Sequence, residues 1–339
     1  MNASSYNSDN RIFQTLKYRI YYALKPFLPR YLQIVLRRIR VLRIRKLNKH
    51  VWPIDERANK SPEGWVCWPE QKQFALVLMH DVDTARGHQN CYKLMSFEES
   101  MGFRSSFNFV PEKYNVSHKL RLDLAKRGFE VGVHGLKHDG KLFLSKRAFV
   151  KQAVRINHYL REWQSAGFIS PSMIRNLDWI RELAVEYDTS TFDTDPFEPQ
   201  PEGVSTIFPF WVRENSGQKG FVEIPYTLPQ DFTIFVLMKE KDIDIWKKKL
   251  DWIVKNGGMA LVITHPDYMK FGGGKIGIDE YPAQYYKDFL EYVKYQYEGK
   301  YWSALPRDMA RFWASNYGTK SGETKETKPS LGKDRLADC

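Results

Sequence analysis

The chain has 339 residues with 42% hydrophobic and 15% aromatic content, enough for one large domain of about 250 residues plus extensions. Its formal net charge is +12, but twelve basic side chains against the single acid Asp9 place +11 of this in the first fifty residues. A nearly neutral body excludes a nucleic-acid-binding domain, so no nucleic acid partner is expected.

Residues 1–10 are polar and lead into no uninterrupted apolar core, so no secretory signal is read. No apolar run approaches the roughly 18 residues that span a bilayer. Cys67, Cys91 and Cys339 are odd in number and form no CxxC pair, which fits a reducing compartment better than a disulfide framework. Ile12, Phe13, Leu16, Ile20, Ala23 and Leu24 recur at helical spacing, and Pro26 and Pro29 interrupt the pattern. A second segment puts Leu32, Val35, Leu36, Ile39 and Leu42 on one stripe among arginines. Residues 1–58 are therefore a basic amphipathic arm. Between 11 and 49 it has the character of helices that lie on anionic membrane surfaces, or that pack on a domain with their arginines solvated.

The composition changes near Trp52-Pro53, and a body spanning 59–317 begins. Residues 74–79 form a continuous apolar run suited to a strand buried on both faces. A helix through Met101, a strand at 106–110 and a helix at 117–127 follow, then Glu130-Val131-Gly132-Val133-His134 as a strand. Helical patterns cover 145–164, 176–186, 242–255, 281–297 and 306–316, with strands at 221–224 and 259–264. This alternation predicts a parallel sheet, open or closed as a barrel, with its functional residues just after the strands. Residues 318–339, rich in Lys, Thr, Ser, Glu and Gly, read as a disordered tail.

Three strand ends carry candidate chemistry. They are His80-Asp81-Val82-Asp83, the pair His134 and His138, and His265 in Ile263-Thr264-His265-Pro266-Asp267. One carboxylate and two imidazoles, with open positions left for water, suit zinc or a similar divalent ion. Taken singly, the acids could cap a helix and His265 could be a hydrogen-bonded core histidine. Three such coincidences at successive strand ends of one domain favour the metal.

With Gly128-Phe129-Glu130-Val131-Gly132 before His134 and Leu261-Val262 before His265, these motifs resemble the polysaccharide deacetylase family. That family is also called the NodB-homology domain or carbohydrate esterase family four, and the aspartates match its Asp-x-Asp branch. The resemblance covers about residues 70–316 and implies a distorted (β/α)7 barrel. It implies a metal-dependent deacetylase acting on N- or O-acetylated sugars. Asp83, His134 and His138 would hold the divalent ion, expected to be zinc, with Asp81 as general base and His265 as general acid. Most family members are exported. The missing signal and basic arm instead imply a cytoplasmic enzyme, peripheral at the inner membrane, while the resemblance implies an acetylated saccharide substrate and a role in making a bacterial surface polysaccharide.

The chain departs from the family at one motif. Ile169 stands where an arginine would hold the catalytic aspartate, although Pro171 remains and the Ser172 N–H could serve the oxyanion. Arg175 could reach the same space from the next turn. Asp193 or Asp195 best matches the aspartate that orients the acid histidine. Aromatics in the loops, Trp211 and Tyr268 among them, could stack on a sugar ring. The rival readings are a catalytically impaired sugar-binding or scaffold protein on the same fold, and an amidohydrolase acting on a small non-sugar molecule.

Overall fold

The computed structural model describes residues 28–213 and 219–318. The helix expected at 11–25 and the tail beyond 318 lie outside the described residues. The strands in chain order are β1 (Phe74–Val82), β2 (Ser106–Phe109), β3 (Glu130–His134), β4 (Gly167–Ile169), β5 (Tyr187–Asp188) and β6 (Phe210–Val212). They continue as β7 (Phe221–Glu223), β8 (Met259–Thr264), β9 (Met269–Lys270), β10 (Tyr281–Pro282) and β11 (Tyr301–Ala304). The α-helices are α1 (Arg30–Leu47), α2 (Ala85–Ser100), α3 (His118–Lys126), α4 (Lys146–Glu162) and the single turn α5 (Leu177–Ile180). After a π-helical segment at Phe232–Leu237 come α6 (Asp244–Lys255), α7 (Gln284–Tyr297) and α8 (Pro306–Tyr317).

Strand β1 is buried at every position, as its uninterrupted apolar run requires. One of its edges pairs in parallel with β8. Its other edge is divided end to end, with β11 along residues 74–77 and β2 along residues 79–82. The parallel sheet runs on through β3, β4, β5 and β7, and β6 is an antiparallel edge. Beyond β7 the chain turns back to the start. Tyr226 bridges Phe192 just past β5, and Leu228 bridges Val262 in β8. The ring of β1, β2, β3, β4, β5, the 226–228 segment and β8 is the distorted barrel of seven parallel staves that the sequence implied.

Serine and threonine side chains cap the starts of α2, α3 and α4. Thr84 accepts from the Arg86 N–H, Ser117 from Leu120 and Ser145 from Ala148. Each helix then buries one stripe against the barrel, as α4 does with Phe149, Ala153, Ile156 and Leu160. The helix expected over 176–186 is only the turn α5. The chain there is needed to enter β5, and Leu183 and Val185 are buried on the way.

The arm shares the core of the body. Ile34 and Val41 of α1 are 0% and 3% exposed and belong to the main hydrophobic cluster. The Arg38 guanidinium donates to the carbonyls of Val236 at 3.1 Å and Ile278 at 2.7 Å, and Arg37 lies 4.5 Å over the Phe232 ring. The stripe read from the sequence points the other way, with Leu36 48%, Ile39 62% and Leu42 50% exposed. An Ile34→Ala substitution is therefore expected to cost about 2 kcal/mol or more, and Leu36→Ala close to nothing. Urea unfolding of the two variants checks this, and equal midpoints would show that α1 is not anchored through Ile34.

Candidate metal centre and active site

Strand ends at one mouth of the barrel gather the polar residues. Asp81 lies at the end of β1 and Asp83 just past it, His134 ends β3, and His138 follows on the loop. That loop is possible because Gly135 takes a φ of +62° and lies against Pro171, where a Cβ would stand 2.5 Å from the ring. Asp83 Oδ1 lies 3.3 Å from His134 Nε2 and 3.0 Å from His138 Nε2. One potential ligand atom from each residue falls within 4.8 Å of the others, a spacing that a single cation can bridge.

Three observations fit these residues to a divalent ion. First, Asp83 Oδ1 is buried and has no hydrogen bond, although two imidazole nitrogens face it. Second, His134 Nδ1 is 3.2 Å from the Ile169 carbonyl, which fixes the ring with Nε2 toward Asp83. Third, the protonation states suit ligation. Burial lowers the His138 pKa and favours the neutral ring. Burial alone would raise the Asp83 carboxyl, but His138 and His134 outweigh it and hold it well below the usual range. Burial also opposes charge on His134, yet Asp81 and Asp83 draw a proton to it, and that is the charge a cation would displace.

Asp81 is buried beside this cluster, its Oδ2 3.9 Å from His134 Nδ1. Ile169 indeed brings no charge to it, and Arg175 does not replace the arginine. The Arg175 guanidinium instead donates to the carbonyls of Met173 and Glu202 and lies 4.8 Å over Phe192. Asn108 of β2 does the holding, its Nδ2 donating to Asp81 Oδ1 at 2.9 Å. Ser106 Oγ in turn donates to Asn108 Oδ1 at 3.0 Å. Room for this amide comes from Gly132, where a Cβ would stand 2.0 Å from Asn108 Oδ1. Asn108→Ala is expected to lower turnover about 10–100-fold while ion binding persists, since Asp81 loses the bond that fixes its rotamer. Wild-type rates in that variant would remove Asn108 from the site.

His265 follows β8, and Asp231 meets it. Asp231 Oδ1 lies 2.7 Å from His265 Nδ1, and Oδ2 accepts from the His265 N–H and the Tyr281 hydroxyl, both at 2.8 Å. Burial would lower the His265 pKa, but Asp231 outweighs it, with Asp83 and Asp81 adding to the effect, and raises it to about 10. Neither acid matched to this place from the sequence occupies it. Asp193 pairs with the buried ammonium of Lys249 on α6. Asp195 accepts from the Tyr226 hydroxyl at 2.8 Å and the Phe197 N–H at 2.9 Å. Both sit on the chain after β5, engaged with these partners in place of His265. Asp231 carried no sequence signal, because Leu228-Pro229-Gln230-Asp231 has no histidine or acid at a telling interval.

Tyr268 does belong here, with its hydroxyl 3.4 Å from Asp83 Oδ2 and its ring 5.4 Å from that of His265. Asp267 accepts from the Asp83 N–H at 2.9 Å and from the Thr84 hydroxyl, and so pins the β1 loop. Ser172 lies on the turn Pro171–Met173 with a φ of 57°, and Pro171 and His138 line one shared cavity. Trp211 lies apart on edge strand β6, opposite Val222 and packed by Gly220.

Solved structures share this fold. A protein from Mycobacterium smegmatis described as a polysaccharide deacetylase is 18% identical over 80% of this chain and 99% of its own, with a TM-score of 0.55. PuuE allantoinase is 14% identical over 79% and 99%, with a TM-score of 0.60. A further protein described as a polysaccharide deacetylase, from Pseudomonas aeruginosa PAO1, is 15% identical over 75% and 95%, at 0.57. No family model and no curated protein matches the sequence. The chain has the polysaccharide deacetylase fold, with an Asp–His–His candidate metal centre at the barrel mouth.

Proposed function

We propose that this protein is a divalent-metal-dependent deacetylase that removes an acetyl group, an N-acetyl in the first instance, from a sugar. The observation that carries the reading is the Asp83–His134–His138 cluster flanked by two individually braced groups, Asp81 on Asn108 and His265 on Asp231. Bound by the cluster, a divalent ion would supply a Lewis acid for the acyl carbonyl and for water. Asp81, held by the Asn108 amide, accepts the proton of the attacking water. The Ser172 N–H on the Pro171–Met173 turn is the candidate second donor to the tetrahedral oxyanion. His265, protonated and oriented by Asp231, delivers a proton to the departing amine.

The Asp81–Asn108 bond bears on the impaired-enzyme reading, because the missing arginine does not leave Asp81 unsupported. Synthesis of a bacterial surface polysaccharide is the setting we propose, with zinc as the ion. The similarity to PuuE allantoinase favours a second reading, amide hydrolysis on a small non-sugar molecule at the same groups. Acetate release from a panel of N- and O-acetylated sugars, with allantoin hydrolysis assayed beside it, decides between them. Turnover of allantoin alone would replace the sugar reading. Ion binding with no turnover of any panel member would return the chain to a binding role.

A further inference from the structure

Helix α1 is amphipathic twice over, and its faces are reversed from those of an ordinary surface helix. The side turned to the barrel is Ile34 and Val41 together with arginines whose guanidinium groups are spent locally. Arg30 pairs with Asp279 at 3.1 Å, Arg38 bonds two backbone carbonyls and Arg45 pairs with Glu240. The side turned outward is apolar. Leu32 is 39% exposed, Leu36 48%, Ile39 62%, Leu42 50% and Leu47 66%, and the helical spacing puts Leu32, Leu36 and Ile39 together. Arg43 and Lys46 interleave with these residues, and no acid occurs anywhere in the helix. No described helix is long and apolar enough to cross a membrane.

We propose that the outward face of α1 docks flat on an anionic lipid bilayer. Its apolar stripe would enter the boundary between headgroups and acyl chains, and the interleaved Arg43 and Lys46 would meet the phosphates. Charge selects this occupant, since a leucine and isoleucine face interleaved with cations, on a helix with no acid of its own, is complementary to an acidic interface with an apolar layer beneath it. The docking also sets the orientation of the barrel mouth. Arg37 of α1 lies over Phe232, the Phe232 ring is 4.5 Å from that of Tyr268, and Tyr268 reaches Asp83. The mouth therefore opens beside the seated helix. If the deacetylase reading holds, its substrate is a sugar carried at the membrane surface.

The test is sedimentation of the full chain with vesicles of phosphatidylcholine alone or with phosphatidylglycerol added. Wild type is expected to sediment with the acidic vesicles and to be released by salt. The double variant L36D/I39D is expected to lose this binding about tenfold or more, with its unfolding midpoint and its hydrolysis of a soluble acetylated sugar unchanged. Equal binding to both vesicle types, or binding unaltered in L36D/I39D, overturns the proposal. So does a changed unfolding midpoint or oligomeric state in L36D/I39D without vesicle binding, because the face would then be covered by residues 11–25 or by a second copy. Vesicle binding is read without turnover, so a failed deacetylase assay leaves this result standing.

Discussion

Replacing His134 or His138 by alanine is expected to abolish most divalent-ion affinity, and acetate release with it. Losing a supporting hydrogen bond of a metal ligand costs about 10–100-fold, and losing one ligand of three should exceed that. Calorimetric titration with Zn2+ reads the loss directly. The wild-type affinity should also fall as pH drops, because Asp81 and Asp83 draw a proton to His134 that an ion must displace. The assignment fails if His138→Ala binds Zn2+ as wild type does, or if binding is the same at pH 5 and pH 8. Asp83→Asn tests the third ligand. It keeps the shape of the side chain but removes the charge that faces both imidazoles.

The barrel was legible where burial is continuous and opaque where strands are short. Residues 259–264 are all buried and read from the sequence as the strand they form. Strands β4 and β5 span three and two residues, too few for any period to emerge, and their order in the sheet is set by neighbours. The stripe Leu32, Val35, Leu36, Ile39 and Leu42 was visible, but which face meets the body was not. Pattern alone assigns leucines inward, whereas here the carbonyls of Val236 and Ile278 draw in Arg38. The same division runs through the site. Asp83, His134 and His138 lie on two motifs with fixed spacing. Asp231 and Asn108 act through contacts between chain segments 34 and 27 residues apart, and no local pattern records such pairs. Asp193 and Asp195 had the better local context and lost the place to geometry.

Asp81→Asn and His265→Ala are each expected to lower turnover by about 10²-fold or more while Zn2+ remains bound. An amide nitrogen departs badly as an anion, so collapse of the tetrahedral intermediate waits on a proton. Asp231 sets when that proton is present. Burial works against charge on His265, and the paired carboxylate raises its pKa to about 10, above the ordinary value for an imidazole. The sign follows from this. A group with a raised pKa keeps its proton through neutral pH and loses it as pH climbs toward the raised value. Asp231→Asn removes the cause of the rise, so the alkaline limb of the turnover profile should move to lower pH. An unmoved limb would detach Asp231 from the acid. The leaving group supplies a sharper comparison. An acetate ester releases an alkoxide, a better leaving group than an amide anion, so it depends less on the acid. His265→Ala should therefore depress N-deacetylation more than O-deacetylation on matched sugars. Equal losses on both would place His265 in binding or orientation, and intact amide hydrolysis would remove it from the mechanism.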